Sequence, residues 1–180
     1  MAFFNPFVFD ATDDEQKVPI IIAPMTAEDA DNTAKNRWQT DWTSEYMSNE
    51  KLLKYAAKTK DGELIGLAAY EIEKRHITVY LTYMESHPES NPTLTKAKKY
   101  KEIGRVLVAY GIKLSLDQGF WGDVVLHAKT PELEKHYIQD FGAQYIPSPW
   151  ESGAPRYIIQ GSAASKIFNQ YLSEEGEVNG

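Results

Sequence analysis

The sequence predicts one α/β (α+β) domain in which a mixed, mostly antiparallel sheet of about seven strands is flanked by helices. Apolar and aromatic runs of strand length alternate along the chain with stretches of helical periodicity. Three such runs follow one another at residues 52–58, 63–73 and 77–85, and Asp61-Gly62 between the first two is a strong hairpin signal. These runs indicate an antiparallel meander, while two later strands are reached through helices, which makes the sheet a mixed one.

The first strand and helix are predicted from local patterns. Residues 18–23 form a continuous apolar run, as a strand covered on both faces requires. Thr26 and Asp29 then form an acidic variant of the capping box, which predicts a helix over residues 27–38. A second, shorter helix is expected near residues 44–47.

The second half begins with a loop of about 15 residues at 86–101, where no periodic pattern exists and where long loops are usually functional or mobile. The next helix has apolar residues at helical spacing, and a later one opens with Thr130-Pro131, a capping hydroxyl before a first-turn proline. The predicted elements are helices over residues 102–117, 131–141 and 163–172, and strands over residues 123–128, 143–146 and 156–159.

The composition is that of a globular protein. The chain has 180 residues, of which 42% are hydrophobic, and it contains no cysteine, which excludes disulfides, thiolate metal sites and a cysteine nucleophile. Its longest apolar runs fall far short of the ~20 residues that cross a bilayer. We therefore expect a cytoplasmic protein with no membrane partner.

The negative charge is concentrated at the two ends of the chain. The net charge of −7 comes from four acids in residues 1–16 and three in residues 172–180, so the body between them is neutral. We divide the chain into an N-terminal arm (1–17), a main domain (18–160) and a C-terminal helix with an acidic tail (161–180). Phenylalanines are expected to anchor the arm onto the domain or onto a partner subunit; they are Phe3, Phe4, Phe7 and Phe9.

Basic residues crowd the start of the helix at 102–117. A helix N-terminus carries unpaired backbone N–H groups and a partial positive charge, so basic residues beside it create an anion site, and phosphate is the natural ligand. Gly104 would let an oxyanion approach the backbone. The alternative is an ordinary solvated basic loop. The basic residues are Lys96, Lys98, Lys99, Lys101 and Arg105, and Glu102 is the acid among them.

These residues resemble the GNAT (Gcn5-related) N-acetyltransferase family over about residues 18–160. The resemblance rests on the strand at 77–85, the basic run, the helix from Glu102 and the segment from Tyr137 to Ala143. In that family a Gln/Arg-x-x-Gly-x-Gly/Ala segment holds the coenzyme A pyrophosphate. Lys99 stands at the first motif position and Gly104 at the last, whereas Glu102 replaces the first glycine. The coenzyme-binding residues that the resemblance implies are Lys99, Lys101, Glu102, Ile103, Gly104 and Arg105, with Tyr83, Met84 and Glu85 on the strand that pairs with the pantetheine arm.

The resemblance also implies the catalytic residues. Tyr137 corresponds to the general acid that protonates the departing coenzyme A thiolate, and a phenol with a pKa near 10 suits that role; the alternative is that its ring packs in the core. For the general base we choose Glu85, at the end of the central strand, with Glu71 and Glu73 as substitutes. A solvated strand-end carboxylate is the alternative for Glu85.

The region between the first two helices often walls the acceptor site in this family. Trp38 and Trp42 would contribute aromatic walls there, and Asp41 and Glu45 would suit a cationic amine, although aromatic residues at this spacing usually serve packing. The four histidines show no metal-ligand spacing, so we expect no metal site.

The resulting hypothesis is an acetyl-CoA-dependent N-acetyltransferase that acetylates a primary amine by direct transfer in a ternary complex. The acceptor would be a small-molecule amine or a protein amine, and a homodimer is among the expected partners because late strands often form dimers in this family. The alternative is a non-catalytic GNAT-like module for acyl-CoA binding or protein interaction. Nucleic acid is not expected, because the clustered bases lack interleaved aromatic residues.

Overall fold

Eleven strands and four α-helices are formed within residues 1–35, 37–147 and 153–174, the parts of the chain that the computed structural model describes. The helices are α1 (Ala27–Lys35), α2 (Ile103–Asp117), α3 (Pro131–Phe141) and α4 (Gly161–Asn169). The strands are β1 (Ala2–Phe4), β2 (Phe7–Asp10), β3 (Asp13–Pro24), β4 (Leu53–Thr59), β5 (Leu64–Glu73), β6 (Thr78–Ser86), β7 (Tyr100–Lys101), β8 (Val124–His127), β9 (Gln144–Ile146), β10 (Arg156–Ile159) and β11 (Leu172–Glu174).

Nine of these strands form one sheet in the order β7-β2-β3-β4-β5-β6-β8-β10-β9, and β1 pairs with β11 in a separate ribbon. Neighbouring strands of the large sheet run antiparallel except β6 and β8, which are parallel. The mixed, mostly antiparallel α/β fold predicted from the sequence is therefore confirmed.

The predicted number of about seven strands was too low. The additional strands are short segments: β1, β2, β7 and β11 contain two to four residues each. Segments of this length carry no readable periodicity, and their partners are distant in sequence, as in the pairing of Phe3 with Ser173. The C-terminal strand also shortens the last helix, which ends at Asn169 rather than at residue 172.

The N-terminal phenylalanines pack onto the protein itself. Phe7 belongs to the main core, and the Phe4 ring stacks on Phe168 of α4 with centroids 5.8 Å apart. Phe3 remains 44% exposed. Glu175 and Glu177 of the predicted acidic tail lie outside the described residues.

The helix caps agree with the local signals in the sequence. The Thr26 amide donates to the Asp29 carboxylate and the Asp29 amide donates to Thr26 Oγ1, so the predicted capping box of α1 is present. Thr130 Oγ1 likewise accepts from the Leu133 amide at the start of α3. The expected helix 27–38 ends earlier, at Lys35, and the helix near 44–47 is one 3₁₀ turn, Glu45–Ser48.

Helix α2 is fixed against the central strands by close contacts. The Tyr70 hydroxyl on β5 donates to the Leu107 carbonyl at 2.5 Å. A Cβ atom on Gly66 would lie 2.9 Å from the Ile103 side chain, so glycine is needed there for the first turn of α2 to reach the sheet. These contacts place the start of α2 beside the end of β6.

A second hydrophobic cluster covers the opposite face of β4 and β5. Trp38, Trp42 and Met47 pack there against Leu67 and Ala69. Among the described residues, no α-helix combines the length and the apolar character that a bilayer crossing needs.

Candidate active site

Strands β6 and β8 diverge in the middle of the sheet. Their parallel pairing runs from Val79 opposite Val124 to Leu81 opposite Leu126, whereas β6 itself continues to Ser86. A β-bulge marks the divergence, because Tyr70 and Ala69 of β5 face Leu81 and Tyr83, which leaves Thr82 as an extra residue. Beyond Leu81 no described strand pairs with this edge of β6, so its backbone groups can pair with an extended ligand.

The N-terminus of α2 lies next to this divergence and has no side-chain cap. The N-cap residue Glu102 makes no capping hydrogen bond, and the first turn contains no acid. The amides of Ile103, Gly104 and Arg105 have no earlier helical carbonyl to bond, because the first amide to do so is that of Val106. The α2 N-terminus therefore offers free N–H donors and a positive dipole end to an anion.

Glu102 has a left-handed backbone conformation, with φ at +70°. Apart from asparagine and aspartate, L-residues rarely adopt it, because the Cβ atom approaches the carbonyl oxygen, whereas glycine has no Cβ and adopts it readily. The position at which the sequence departs from the glycine motif is thus one where the backbone favours glycine.

A cleft of about 310 Å³ joins β6, α2 and α3. It brings Met84 and Glu85 of β6 together with the start of α2 and with Tyr137 of α3. The lining also includes polar residues of the 86–101 segment. The lining residues are Gln39, Met84, Glu85, Ser86, Ser90, Asn91, Pro92, Thr93, Lys98, Tyr100, Glu102, Ile103, Gly104, Arg105, Leu133, His136, Tyr137 and Phe141.

Tyr137 is 6% exposed and lines the cleft. Its ring stacks on Phe141 one turn later, with centroids 5.9 Å apart, so packing fixes the side chain on the inner face of α3. Burial raises the pKa of the Tyr137 phenol above its ordinary value of 10.0. The group therefore keeps its proton at neutral pH.

The Glu85 carboxylate binds the loop that follows α1. Its Oε1 atom accepts from the backbone amides of Gln39 at 2.5 Å and Thr40 at 3.2 Å, and its Oε2 atom accepts from Trp42 Nε1 at 3.0 Å. The residue is 8% exposed. Both oxygens are therefore engaged within the protein, at the edge of the cleft.

The predicted basic residues do not all converge on the cleft. Lys98 and Arg105 line it, whereas Lys99 Nζ lies 2.5 Å from the Glu63 carboxylate and 3.9 Å from that of Glu89. Burial works to raise the pKa of Glu63, but hydrogen bonds from Lys99 and Tyr100 outweigh it and hold that pKa below its usual value. Lys99 is thus held in an ion pair at the protein surface.

The side chain of Arg105 is held by hydrogen bonds, and Lys101 belongs to a strand. Arg105 is anchored by Nε donating to Gln170 and Nη1 donating to the Asp140 carbonyl, while Lys101 lies partly buried in β7.

Trp38 and Trp42 are 8% and 2% exposed and belong to the second hydrophobic cluster. Trp42 is linked to the cleft through the hydrogen bond that its Nε1 donates to Glu85, which lines the cleft. Asp41 is exposed, and its carboxylate accepts from the amide and hydroxyl of Thr43. Glu45 is exposed at the start of the 3₁₀ turn.

Some cleft residues were not predicted. Ser90 and Asn91 are 4% and 6% exposed, and Asn91 Nδ2 donates to Gln39 Oε1 at 3.0 Å. Their polar composition indicated only a loop, and the Asn91 bond reaches a residue about 50 positions earlier in the chain. In the described part of the chain, no group of three metal-ligating side chains is present.

Two solved structures that share this fold are acetyltransferases. Spermidine/spermine N-acetyltransferase SpeG from Vibrio cholerae, solved with manganese ions, matches with a TM-score of 0.54 at 14% identity over 84% of this chain and 96% of that one. A GNAT-family acetyltransferase from Staphylococcus aureus matches with a TM-score of 0.52 at 12% identity over 77% and 97%. No family model and no curated protein matches the sequence. The chain has the GNAT fold, which confirms at the level of the fold the resemblance seen in the sequence.

Proposed function

We propose that the protein is an acetyl-CoA-dependent N-acetyltransferase that transfers acetyl to a primary amine directly, in a ternary complex. The observation that carries this proposal is that the unpaired edge of β6, the uncapped start of α2 and Tyr137 line one cleft. The neighbours support the reaction type, since SpeG is a spermidine/spermine N-acetyltransferase and the other is a GNAT acetyltransferase.

The residues of the cleft fit coenzyme A as a substrate. The free amides of Ile103, Gly104 and Arg105 would bind the pyrophosphate, and Lys98 would add a positive charge. The unpaired edge of β6 at Tyr83, Met84 and Glu85 would hydrogen-bond the amide groups of the pantetheine arm. The thioester supplies an activated acetyl group.

Tyr137 acts as the general acid in this proposal. As the amine nitrogen forms a bond to the acetyl carbon and the carbon–sulfur bond breaks, the Tyr137 phenol gives its proton to the departing thiolate and regains one from solvent. The amine loses its own proton to solvent. Glu85, which the sequence suggested as the base, already accepts three hydrogen bonds, and we propose that it positions residues 39–42 beside the cleft.

A second candidate is a non-catalytic module that binds acyl-CoA or a protein. Two features favour the protein-binding form of this module: Glu102 places a carboxylate at the uncapped helix start, and Lys99 is paired with Glu63. Both features weaken the attraction for phosphate.

Coenzyme binding is tested by thermal-shift titration with acetyl-CoA. A ligand at a hundredfold excess over Kd adds about 2.7 kcal/mol to the free energy of unfolding and raises the melting temperature by several degrees. No shift at millimolar acetyl-CoA would contradict both the acetyltransferase and an acyl-CoA-binding module, and it would favour the protein-binding module.

Catalysis is tested with Tyr137→Phe in an acceptor screen that measures released coenzyme A. We expect turnover to fall by about 10² or more with little change in acetyl-CoA affinity, because the variant keeps the ring but lacks the acidic proton. Tyr145→Phe, at a tyrosine that is 51% exposed on β9, is the matched control and should leave turnover unchanged. Unchanged turnover in Tyr137→Phe would remove Tyr137 from the mechanism.

A further inference from the structure

A cluster of basic side chains borders the divergence of β6 and β8 on the β8 side. His127 is the last residue of β8 and directly follows Leu126, the last residue paired with β6. Arg156 on β10 is its cross-strand partner, so the two side chains lie on the same face of the sheet. Lys129 follows two residues later, with its Nζ atom 5.0 Å from the centre of the Tyr83 ring. We call His127, Lys129 and Arg156 the basic cluster.

The basic cluster lies across the sheet from the coenzyme cleft. Met84 faces α2, where its Cε and Sδ atoms lie 3.8 Å from the position of a Cβ on Gly104. The preceding residue, Tyr83, points to the opposite face, where its ring contacts Tyr46 with centroids 5.5 Å apart. Lys129 lies over this ring, so it is at the far side of the same opening between β6 and β8.

The charges in the basic cluster are not neutralised within the described residues. Neither Lys129 nor Arg156 forms an ion pair with a described carboxylate. Partial burial, followed by the charges on Arg156 and Lys129, lowers the pKa of His127 below its ordinary value of 6.5. Two permanent positive charges and an imidazole therefore border the opening.

Glu45, beside Tyr46, is an exposed carboxylate near this opening, whereas other carboxylates that could attract a cation lie elsewhere or accept hydrogen bonds. Glu85 accepts three hydrogen bonds, and Asp41 accepts two from Thr43. Glu71 and Glu73 are on β5, opposite Tyr80 and Thr78, toward the other end of β6.

We infer that the acceptor is an amine that also carries an anionic group, a carboxylate or a phosphate, which the basic cluster binds beside the opening between β6 and β8. The inference rests on the proposed acetyltransferase function and specifies its substrate class. Arg156 can bind either anion with two parallel hydrogen bonds, and Lys129 adds a point charge. The same positive field disfavours polyamines, because like charges repel.

The test compares acceptors of different charge, and each ω-amino acid is matched in size by its primary amide. Released coenzyme A is measured with ω-amino acids of increasing length, with their primary amides, with aminoalkylphosphonates, and with spermidine. We expect kcat/KM for the best anionic amine to exceed that for its neutral amide by about tenfold or more. The carboxylate and phosphonate arms then show which anion the basic cluster prefers.

Substitutions in the basic cluster test whether these side chains cause the preference for anionic amines. Arg156→Gln and Lys129→Gln should each reduce the ratio of kcat/KM for the anionic amine to kcat/KM for its neutral amide several-fold. Because Lys129 is exposed, Lys129→Gln should fold, and the ratio can be measured with this variant even if Arg156→Gln does not fold. Lys74→Gln removes the same charge in the turn between β5 and β6, at the opposite end of β6, and should leave the ratio unchanged.

The outcomes separate the inference from the function on which it rests. A ratio near one, a preference for spermidine, or a ratio that survives both variants overturns the inference while the acetyltransferase function stands. No coenzyme A release with any amine overturns the proposed function and the inference together.

Discussion

Glu102 has two unfavourable features, a strained backbone conformation and a negative charge beside the proposed phosphate site. Its φ of +70° is strained for an L-residue, at roughly 1 to 2 kcal/mol, and it brings a negative charge to the cleft lining at the helix start, where we propose that pyrophosphate binds. Strained residues of this kind cluster at functional sites, where surrounding structure holds them in place. Substitutions at residue 102 can therefore measure the effect of the backbone strain and the effect of the negative charge separately.

Glu102→Gly is predicted to tighten acetyl-CoA binding by about tenfold, because it removes a negative charge close to a bound phosphate. Relief of the left-handed strain should offset the added flexibility of the unfolded chain, so stability should stay the same or rise by up to about 1 kcal/mol. Calorimetric titration and thermal melting measure the two effects. Glu102→Gln is the control that removes only the charge: it should reproduce the gain in affinity without a gain in stability. Equal affinity in all three proteins would show that no phosphate binds near residue 102.

Glu85→Gln is predicted to lower the free energy of unfolding by about 2 kcal/mol. A glutamine has one acceptor oxygen, so the Trp42 indole or the amides of Gln39 and Thr40 would lose their partner inside the protein. Chemical denaturation measures this loss, and Glu50→Gln on the exposed loop should show none. Full stability combined with a loss of turnover and of the acidic limb of the pH–rate profile would favour the general-base role instead.

At the scale of elements, α2 joins the fold to the site. Its buried side packs on the sheet through Leu107 and Ile103, while its first turn faces the cleft. Gly104 lies in that turn. A Cβ there would have its nearest neighbours, Met84 Cε and Sδ, at 3.8 Å, which is ordinary contact. The protein alone does not require glycine at this position, but a bound anion would.

Gly104→Ala is therefore predicted to change stability and binding in opposite directions. Alanine is the better helix former, so the free energy of unfolding should rise by up to about 1 kcal/mol, while acetyl-CoA affinity should fall about tenfold or more because the methyl group blocks the backbone. Gly111→Ala on the same helix is the contrasting control. Its Cβ would lie 3.0 Å from Tyr70, so it should lower stability and leave affinity unchanged. If Gly104→Ala kept full affinity, the α2 amides would not be the phosphate site.

Elements with local signals were predictable, and those formed by distant contacts were not. The capping box at Thr26, the Thr130-Pro131 start of α3 and the apolar stripe of α2 follow from residues within one or two turns. The β1–β11 ribbon and the two-residue β7 depend on partners far away in sequence. In the site, the Tyr137-to-Gly142 pattern was readable, whereas the bonds from Glu85 to residues 39–42 span more than 40 positions.

For the whole molecule, the divergence of β6 and β8 separates two environments on opposite faces of one sheet. One face holds the α2 amides and Tyr137, and the other holds Tyr83 with the basic cluster. A histidine lies beside each strand that borders the opening: His87 directly after β6, and His127 at the end of β8. Burial lowers the pKa of both below the ordinary value of 6.5, and His87 Nδ1 accepts a hydrogen bond from the Glu89 amide, which requires an unprotonated nitrogen.

These two histidines predict a loss of stability in mild acid. Because the folded state disfavours their protonation, their contribution to stability is complete above the unfolded pKa of 6.5 and declines as the pH falls below it toward the folded values. Carboxylates with lowered pKa, such as Glu63, act in a separate window, below their ordinary value of 4.5. The free energy of unfolding, measured by urea denaturation between about pH 5 and about pH 7, should therefore fall with decreasing pH, and the double variant His87→Gln, His127→Gln should flatten this slope. His76→Gln, exposed in the turn between β5 and β6, is the matched control. A slope as steep in the double variant as in the wild type would mean that groups other than His87 and His127 cause the acid sensitivity. The folded state would then not disfavour protonation of these two histidines.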